Sequence, residues 1–422
     1  MKIMVIGGGG REHTLIKKIA ENPRVSKIFA LPGNGGIAQE AICVPIGAKD
    51  VTAIVAFAQQ QQIDFAVVAQ DDPLVLGTVD ALHHIGIACF GPDKAAAAIE
   101  GSKVFSKDLM QKYGIPTAAY QAFDQAAAAI AYVRQAVYPL VIKADGLALG
   151  KGVFICEETA QALEAIAVIM EEKKFGGSGN QIVIEECLSG PEVSVLAFTD
   201  SHTMIPMVSS MDHKRIGDND TGLNTGGMGT VAPNPYYTPE IAAQCMTQIF
   251  LPTMKAMNAE GRPFKGCLYF GLMLTPDGPK VIEYNCRFGD PEAQVVLPLL
   301  QTDLLTVMEA VEEEKLADLE IKFSSAAACC VILASGGYPG SYQTGLPITI
   351  GNTGDAILYH AGTRLENGVL CTGGGRVLGV TALGNTLAEA CEKAYTAAAA
   401  IDFPGKYYRR DIGNRAIAAT KA

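Results

Sequence analysis

The sequence predicts a multidomain α/β protein: an open parallel sheet first, a mixed α/β centre, and a smaller, mostly β domain last. Three observations carry that expectation. At 422 residues the chain is too long for one ordinary hydrophobic core. Residues 2–92 alternate short apolar runs with helical stretches, the pattern of parallel strands joined by crossover helices. Residues 324–422 are dense in strand and turn signals, among them GGYPG and CTGGGRVLGV, and end in a helix and a tail.

In the first part the runs KIMVIG, KIFAL, FAVVA and IACFG read as strands, separated by helices beginning at Glu12, Asp50 and Leu74. Asp93 then N-caps two helical segments that a proline stops, and a first domain is expected over 1–101. A second unit, 102–323, carries between about 117 and 187 the strands YPLVIKA and QIVIEEC around a glycine-rich turn, a piece sized for a lid subdomain. It continues with a long helix from about Pro239 and a hairpin turning at Pro276-Asp277-Gly278. A strand beginning around Phe323 is expected to open the last domain, 324–422.

Composition narrows the function. Hydrophobic residues at 49% and charged ones at 18% describe a well-packed soluble chain. The net charge is −11 and no run of Lys or Arg exceeds two, which argues against a nucleic-acid partner. Eleven cysteines without a C-x-x-C pair fit reduced thiols and a cytoplasmic protein. No window approaches the about 18 apolar residues of a membrane span, and the N-terminal apolar run is too short for a signal peptide. The sequence contains no G-x-S-x-G, no Cys-His signature and no H-E-x-x-H, so nucleophile and zinc-protease chemistry are not indicated.

Four stretches carry chemistry. In KVIEYNCRFGDPE, Glu283 and Asn285 stand two apart on an expected strand and so share a face, offering a carboxylate and an amide oxygen to a hard cation; a solvated polar face is the alternative. The run Gly7–Gly10 follows a strand and opens a helix, suiting either an anion on backbone N–H groups, which Arg11 favours, or a tight turn. It fails G-x-G-x-x-G, and no acid ends the second strand, so a dinucleotide is not expected. The loop DGLALGKG after Lys143 suits phosphate oxygens or a plain hairpin turn, and it is not a Walker loop. Lys103 is either a second phosphate lysine or a solvated helix residue, and Glu192 either a ribose acceptor or part of a surface turn. Finally, DHKRIGDNDTGLNTGGMG over 212–229 is too polar for packing; it is either disordered or an anion clamp, and its cations beside glycines favour the clamp. His213 reads as an orienting or solvated residue.

Together these residues resemble the ATP-grasp superfamily. The runs GGGGREH, DGLALGKGV, DHKRIGDNDTGLNTGGMG and EYNCRFGDPE are similar to those of the glycinamide ribonucleotide synthetases, the phosphoribosylamine-glycine ligases, along the whole chain in order. The resemblance implies a Rossmann-like N-terminal domain, an ATP-grasp central region with its lid, and a small, mostly β C-terminal domain. It implies ATP-dependent ligation of glycine to 5-phosphoribosylamine through glycyl phosphate, in de novo purine biosynthesis. By the same resemblance Glu283 and Asn285 hold Mg²⁺ or Mn²⁺. Lys103, Lys143, Gly150 and Gly152 meet the ATP phosphates, and Glu185, Leu188 and Glu192 frame adenosine. Lys214, Arg215 and Arg287 take catalytic roles, while Gly9, Arg11, Asp212, Asn224, Thr225, Gly226, Gly227 and Asp290 meet the substrates. A monomer or weak homodimer acting on small molecules is expected. The chain departs from the family pattern at Gln70-Asp71-Asp72, where Gly-Pro-Glu is expected beside the phosphoribosyl pocket, and at Leu223 and Thr230-Val231 on loop edges. A carboxylating ATP-grasp ligase is the nearest alternative, marked by bicarbonate dependence.

Overall fold

The computed structural model describes residues 1–148 and 152–421. Its first sheet has five parallel strands, in the spatial order Ile42–Cys43, Lys27–Pro32, Lys2–Gly7, Phe65–Val68 and Ala88–Phe90. Burial on both faces explains why these strands read as continuous apolar runs: Ile3, Met4, Val5 and Ile6 are all inaccessible. The winding reverses between Lys2–Gly7 and Phe65–Val68, and open α/β sheets hold ligands in the crevice outside the carboxyl ends of such a strand pair.

The glycine run makes that crevice tight. Gly7 has φ +131°, and a Cβ on Gly8 would stand 2.3 Å from the Gly33 carbonyl oxygen, so two strand ends meet backbone to backbone. Gly8→Ala is therefore expected to destabilise the protein by about 1–3 kcal/mol, measurable as a lowered urea midpoint; an unchanged midpoint would show that the loops can part freely. The helix expected from Leu74 is in fact two, Asp71–Leu76 and Thr78–His84, broken at Gly77 with φ +89°. The start moves upstream because proline is tolerated in a first helical turn, where Asp71 and Asp72 also complement the helix dipole.

A four-stranded antiparallel sheet, Tyr120–Phe123, Ile182–Glu186, Leu140–Ala144 and Val153–Cys156, has a hydrophobic core of its own that includes Ile142, Ile166 and Ile184. Next to it stand Met204–Pro206, Glu192–Asp200, Lys265–Thr275 and Gly278–Asn285, again antiparallel. The last five-stranded sheet runs Met211–Asp212, Gly229–Ala232, Ala327–Ala334, Arg376–Gly384, Ile357–His360, so it draws strands from both the middle and the end of the chain. The strand expected at Phe323 starts at Ala327; Phe323 makes only an isolated bridge to Leu300, and two serines interrupt the apolar pattern between them. Helix Leu387–Ala399, capped by the Thr386 side chain, covers this sheet. All eleven cysteines are free thiols, and no helix among the described residues is long and apolar enough to cross a membrane.

Candidate active site

The small four-stranded sheet and the central sheet meet at a cluster of cations, where Lys143 reaches the Ile282 carbonyl. On neighbouring strands Lys143 lies opposite Val183 and Val141 opposite Glu185, which sets Lys143 and Glu185 diagonally on one face. The Glu185 carboxylate, 3% exposed, pairs with Lys143 through one oxygen and with Lys107 through the other. Burial pushes this carboxyl up, but the two lysines outweigh it and hold it below the usual carboxylate range. One carboxylate serves two ammoniums, and burial pulls Lys107 down despite its partner. Lys103, also drawn down by burial and by the charge of Lys143, donates to the Gly146 carbonyl at 3.0 Å. Three ammoniums thus gather about the Glu185 carboxylate, with Glu283 and Asp145 the next anions, an electrostatic setting suited to phosphate oxygens. The turn between Leu140–Ala144 and Val153–Cys156 joins adjacent antiparallel strands, so it is a hairpin connection as well. Gly152 packs closely there, since its Cβ would lie 2.8 Å from that of Ala148, whereas Gly150 lies outside the described residues. Leu188, half-buried, sits on the link between Ile182–Glu186 and Glu192–Asp200.

Opposite these lysines, Glu283 and Asn285 project from Gly278–Asn285 on one face, with Gly271 directly across from Glu283. A Cβ at Gly271 would be 3.0 Å from Glu283 Cγ, so the glycine makes room for the carboxylate. A bulge at Ile282 twists the strand here and turns the Ile282 carbonyl to accept from Lys143 Nζ at 3.1 Å. Burial raises the Glu283 carboxyl, but Lys214, Lys143, Lys103 and Arg287 together bring it below its ordinary range. Glu283 remains one-third exposed, with Lys214 at 3.6 Å, too far for a hydrogen bond. Asn285 donates its amide to Glu100 at 2.9 Å, and its oxygen makes no hydrogen bond among the described residues. The same Glu100 binds Arg287 at 2.9 Å and the Cys286 N–H at 2.7 Å.

Residues 212–229 form ordered structure: a hairpin of Arg215–Gly217 and Thr221–Asn224 between two strands of the last sheet. Its order comes from the far end of the chain, where the buried Arg409 guanidinium binds Asp220, Asp411 and the Arg215 carbonyl. Lys214 reaches back to Glu192 at 3.1 Å and, chiefly because of that charge, titrates well above an ordinary lysine. Arg215 stays on the hairpin, donating to the Gly222 carbonyl, and Asn224 pairs with it across the ladder. The Thr225 hydroxyl and amide both close onto the Lys214 carbonyl. Asp212 is raised well above the usual range by burial and by Glu292. Buried His213 binds the Gly229 carbonyl and the Gly413 amide and is held down to about 4 by burial, an orienting role.

A second cavity of about 500 Å³ opens at the reversal point of the parallel sheet, lined by Gly8, Gly9, Lys49, Gln70, Asp290 and Arg376 among others. Arg376 donates to the carbonyls of Gly226 and Asp290, each at 2.7 Å, and joins this cavity to the 212–229 hairpin; Gly227 next to it would clash with Asp212 and Pro291 if it carried a Cβ. Anions already meet the start of helix Gly10–Ala20, but they are the protein's own: Glu12 accepts from the Gly9 amide and Asp290 from the Arg11 amide. Arg11 is buried against Glu12 and the Phe288 carbonyl, and so lies behind the wall.

Sequence reasoning missed Lys107, Glu100 and Arg376. Lys107 had a signal, since it follows Lys103 by four residues on helix Lys103–Tyr113 and shares its face. Glu100 and Arg376 act on partners far along the chain and show no local pattern.

Known proteins share this arrangement. Models of phosphoribosylglycinamide synthetase match the chain as an N domain over 1–100, an ATP-grasp (A) domain over 101–293 and a C domain over 328–415. A phosphoribosylamine–glycine ligase of Caldanaerobacter subterraneus subsp. tengcongensis is 46% identical over 413 residues, 98% of this chain and 99% of that one. The crystal structure of phosphoribosylamine–glycine ligase from Thermotoga maritima superposes with a TM-score of 0.87 at 31% identity, covering 98% of this chain and all of its own, 100%. The biotin carboxylase domain of the Hydrogenobacter thermophilus 2-oxoglutarate carboxylase shares the fold alone, with a TM-score of 0.74 at 15% identity over 96% of this chain and 91% of its own. Matched by three domain models over residues 1–293 and 328–415, with the cation-rich strand ends around Lys143 and Glu283 beside a sheet-end cavity, the chain belongs to the phosphoribosylglycinamide synthetase family.

Proposed function

We infer that this protein is an ATP-dependent carbon–nitrogen ligase that joins glycine to 5-phosphoribosylamine, giving glycinamide ribonucleotide, ADP and phosphate in purine biosynthesis. The observation that carries this reading is the meeting of two sites: the cation-rich cleft around Lys143 and Glu283 adjoins the cavity at Asp290 through Arg376 and the 212–229 hairpin. A carboxylate is a poor electrophile, so glycine must first receive the γ-phosphoryl group; the acyl phosphate then has a good leaving group for attack by the amine. Lys103 and Lys143 neutralise the ATP phosphates and the charge that develops during transfer. Glu185, Leu188 and Glu192 frame adenosine, and Arg287 with Lys214 faces the transferring group. Closure of the small sheet over the cleft keeps water from the acyl phosphate.

A divalent cation suits Glu283 and Asn285. The carboxylate is one-third exposed and only loosely paired, and the amide is anchored by its nitrogen, its oxygen without a hydrogen bond among the described residues. Glu283 and Asn285 supply two oxygen donors, so a divalent cation held there, Mg²⁺ or Mn²⁺, would take its remaining oxygen ligands from ATP and water. It would supply positive charge to the ATP phosphates. The division into 1–101, 102–323 and 324–422, a cytoplasmic location, and a monomeric or weakly dimeric state complete the reading.

The test is ADP release with Mg²⁺-ATP, glycine and freshly generated phosphoribosylamine, each omitted in turn. Release is expected only when glycine and the amine are both present, with one amide formed per ADP. Release supported by bicarbonate in place of glycine would transfer the reading to a carboxylating ligase.

A further inference from the structure

The cavity at the sheet reversal must bind a phosphate dianion if phosphoribosylamine occupies it, and its walls offer few places for one. Two lining residues are cationic, Arg376 and Lys49. The Arg376 guanidinium is already committed to the carbonyls of Gly226 and Asp290 at 2.7 Å, with the Asp290 carboxylate at 3.4 Å. The start of helix Gly10–Ala20, the other natural seat for phosphate, already faces the carboxylates of Glu12 and Asp290. Lys49 differs from both. Its side chain is 69% exposed at the mouth of the cavity, and its one ion pair is with Asp72 at 2.6 Å. A pair so exposed holds weakly and exchanges easily for a stronger anion.

The chemistry of the reaction sets the direction in which the substrate must lie. Its amine has to reach an acyl phosphate made near Glu283, and the Asp290 end of the cavity is the end that Arg376 ties to the hairpin carrying Lys214, the neighbour of Glu283. The phosphate must then point away from Asp290, whose negative charge would repel it. Of the two lining cations, Arg376 is tied to Asp290, whereas Lys49 is held by Asp72 instead.

We propose that Lys49 is the phosphate-binding residue of the phosphoribosylamine cavity, and that Asp72 holds its ammonium in place until the substrate phosphate takes over. The departure at Gln70-Asp71-Asp72 thereby acquires a role: Gln70 lines the cavity and Asp72 supplies the resting partner. This proposal rests on the ligase reading above.

Steady-state kinetics and calorimetry on the full-length protein test it. Lys49→Ala is expected to raise KM for phosphoribosylamine about tenfold, leaving kcat and the KM values for ATP and glycine unchanged. Lys49→Arg keeps the charge and is expected to stay within about twofold of wild type, and Asp72→Asn, which frees the ammonium, to leave that KM unchanged or lower. Calorimetry with ribose 5-phosphate supplies a readout independent of turnover: Lys49→Ala should weaken it about tenfold while weak binding of unphosphorylated ribose is unaffected. Unchanged ribose 5-phosphate affinity in folded Lys49→Ala protein would overturn the proposal, as would an equal loss for ribose. A wild-type protein that releases no ADP with glycine and phosphoribosylamine would instead overturn the ligase reading, and the ribose 5-phosphate measurement would still decide the role of Lys49.

Discussion

Replacing Glu283 with alanine is expected to abolish amide formation, lowering kcat by about a thousandfold or more, in a protein that melts almost as wild type does. The expectation has two parts. Glu283 is one-third exposed and pairs with Lys214 only at 3.6 Å, so folding draws little from it. Its carboxylate is nevertheless the acid around which Lys214, Lys143, Lys103 and Arg287 gather, and those cations hold it ionised. On the proposed reading, removing it deletes the carboxylate that would bring a divalent cation between ATP and those lysines. ADP release and amide formation should be measured across an Mg²⁺ titration, with circular dichroism as the control for folding. A well-folded Glu283→Ala enzyme with a near-normal rate would take Glu283 out of any metal role.

The second large effect falls on stability. Glu185→Ala should cost about 3–5 kcal/mol, because it leaves the Lys107 and Lys143 ammoniums buried without their counter-charge. A urea titration at neutral pH reads the loss, and a midpoint equal to that of wild type would show that water or another group replaces the carboxylate. The sign with pH follows from the direction of the shift. The folded Glu185 carboxyl lies below the ordinary glutamate range, so its contribution is fully present above that range and is lost as pH falls through the folded value. Glu185→Gln should accordingly unfold with less dependence on acid than wild type does.

Local patterns carried much of the architecture and part of the site. The parallel sheet was legible because strands buried on both faces are apolar throughout. Glu283 and Asn285 were legible because strand geometry alone places residues two apart on one side. Lys143 and the glycine-rich turn followed from composition and order. What escaped depends on distant partners. The 212–229 segment looks disordered or clamp-like by itself, and partners far along the chain, Arg409 with Tyr407 and Arg415, show why it is an ordered hairpin. Arg11 suggested an anion at the glycine run, yet the anions there are Glu12 and Asp290, the second supplied from the central region. The helix start at Asp71 was readable from its own acidic first turn, whereas the break at Gly77 turns on a left-handed backbone that one glycine does not announce.

The strand Gly229–Ala232 pairs on one edge with the nearby Met211–Asp212, but its other edge finds a neighbour only in the distant Ala327–Ala334. During synthesis the middle of the chain therefore leaves the ribosome with an open strand edge, and that edge stays unpaired until the last quarter of the protein has been made. A premature stop before Ala327 would yield an adhesive fragment in place of a smaller enzyme, and a gene split at that point would separate two halves of one sheet.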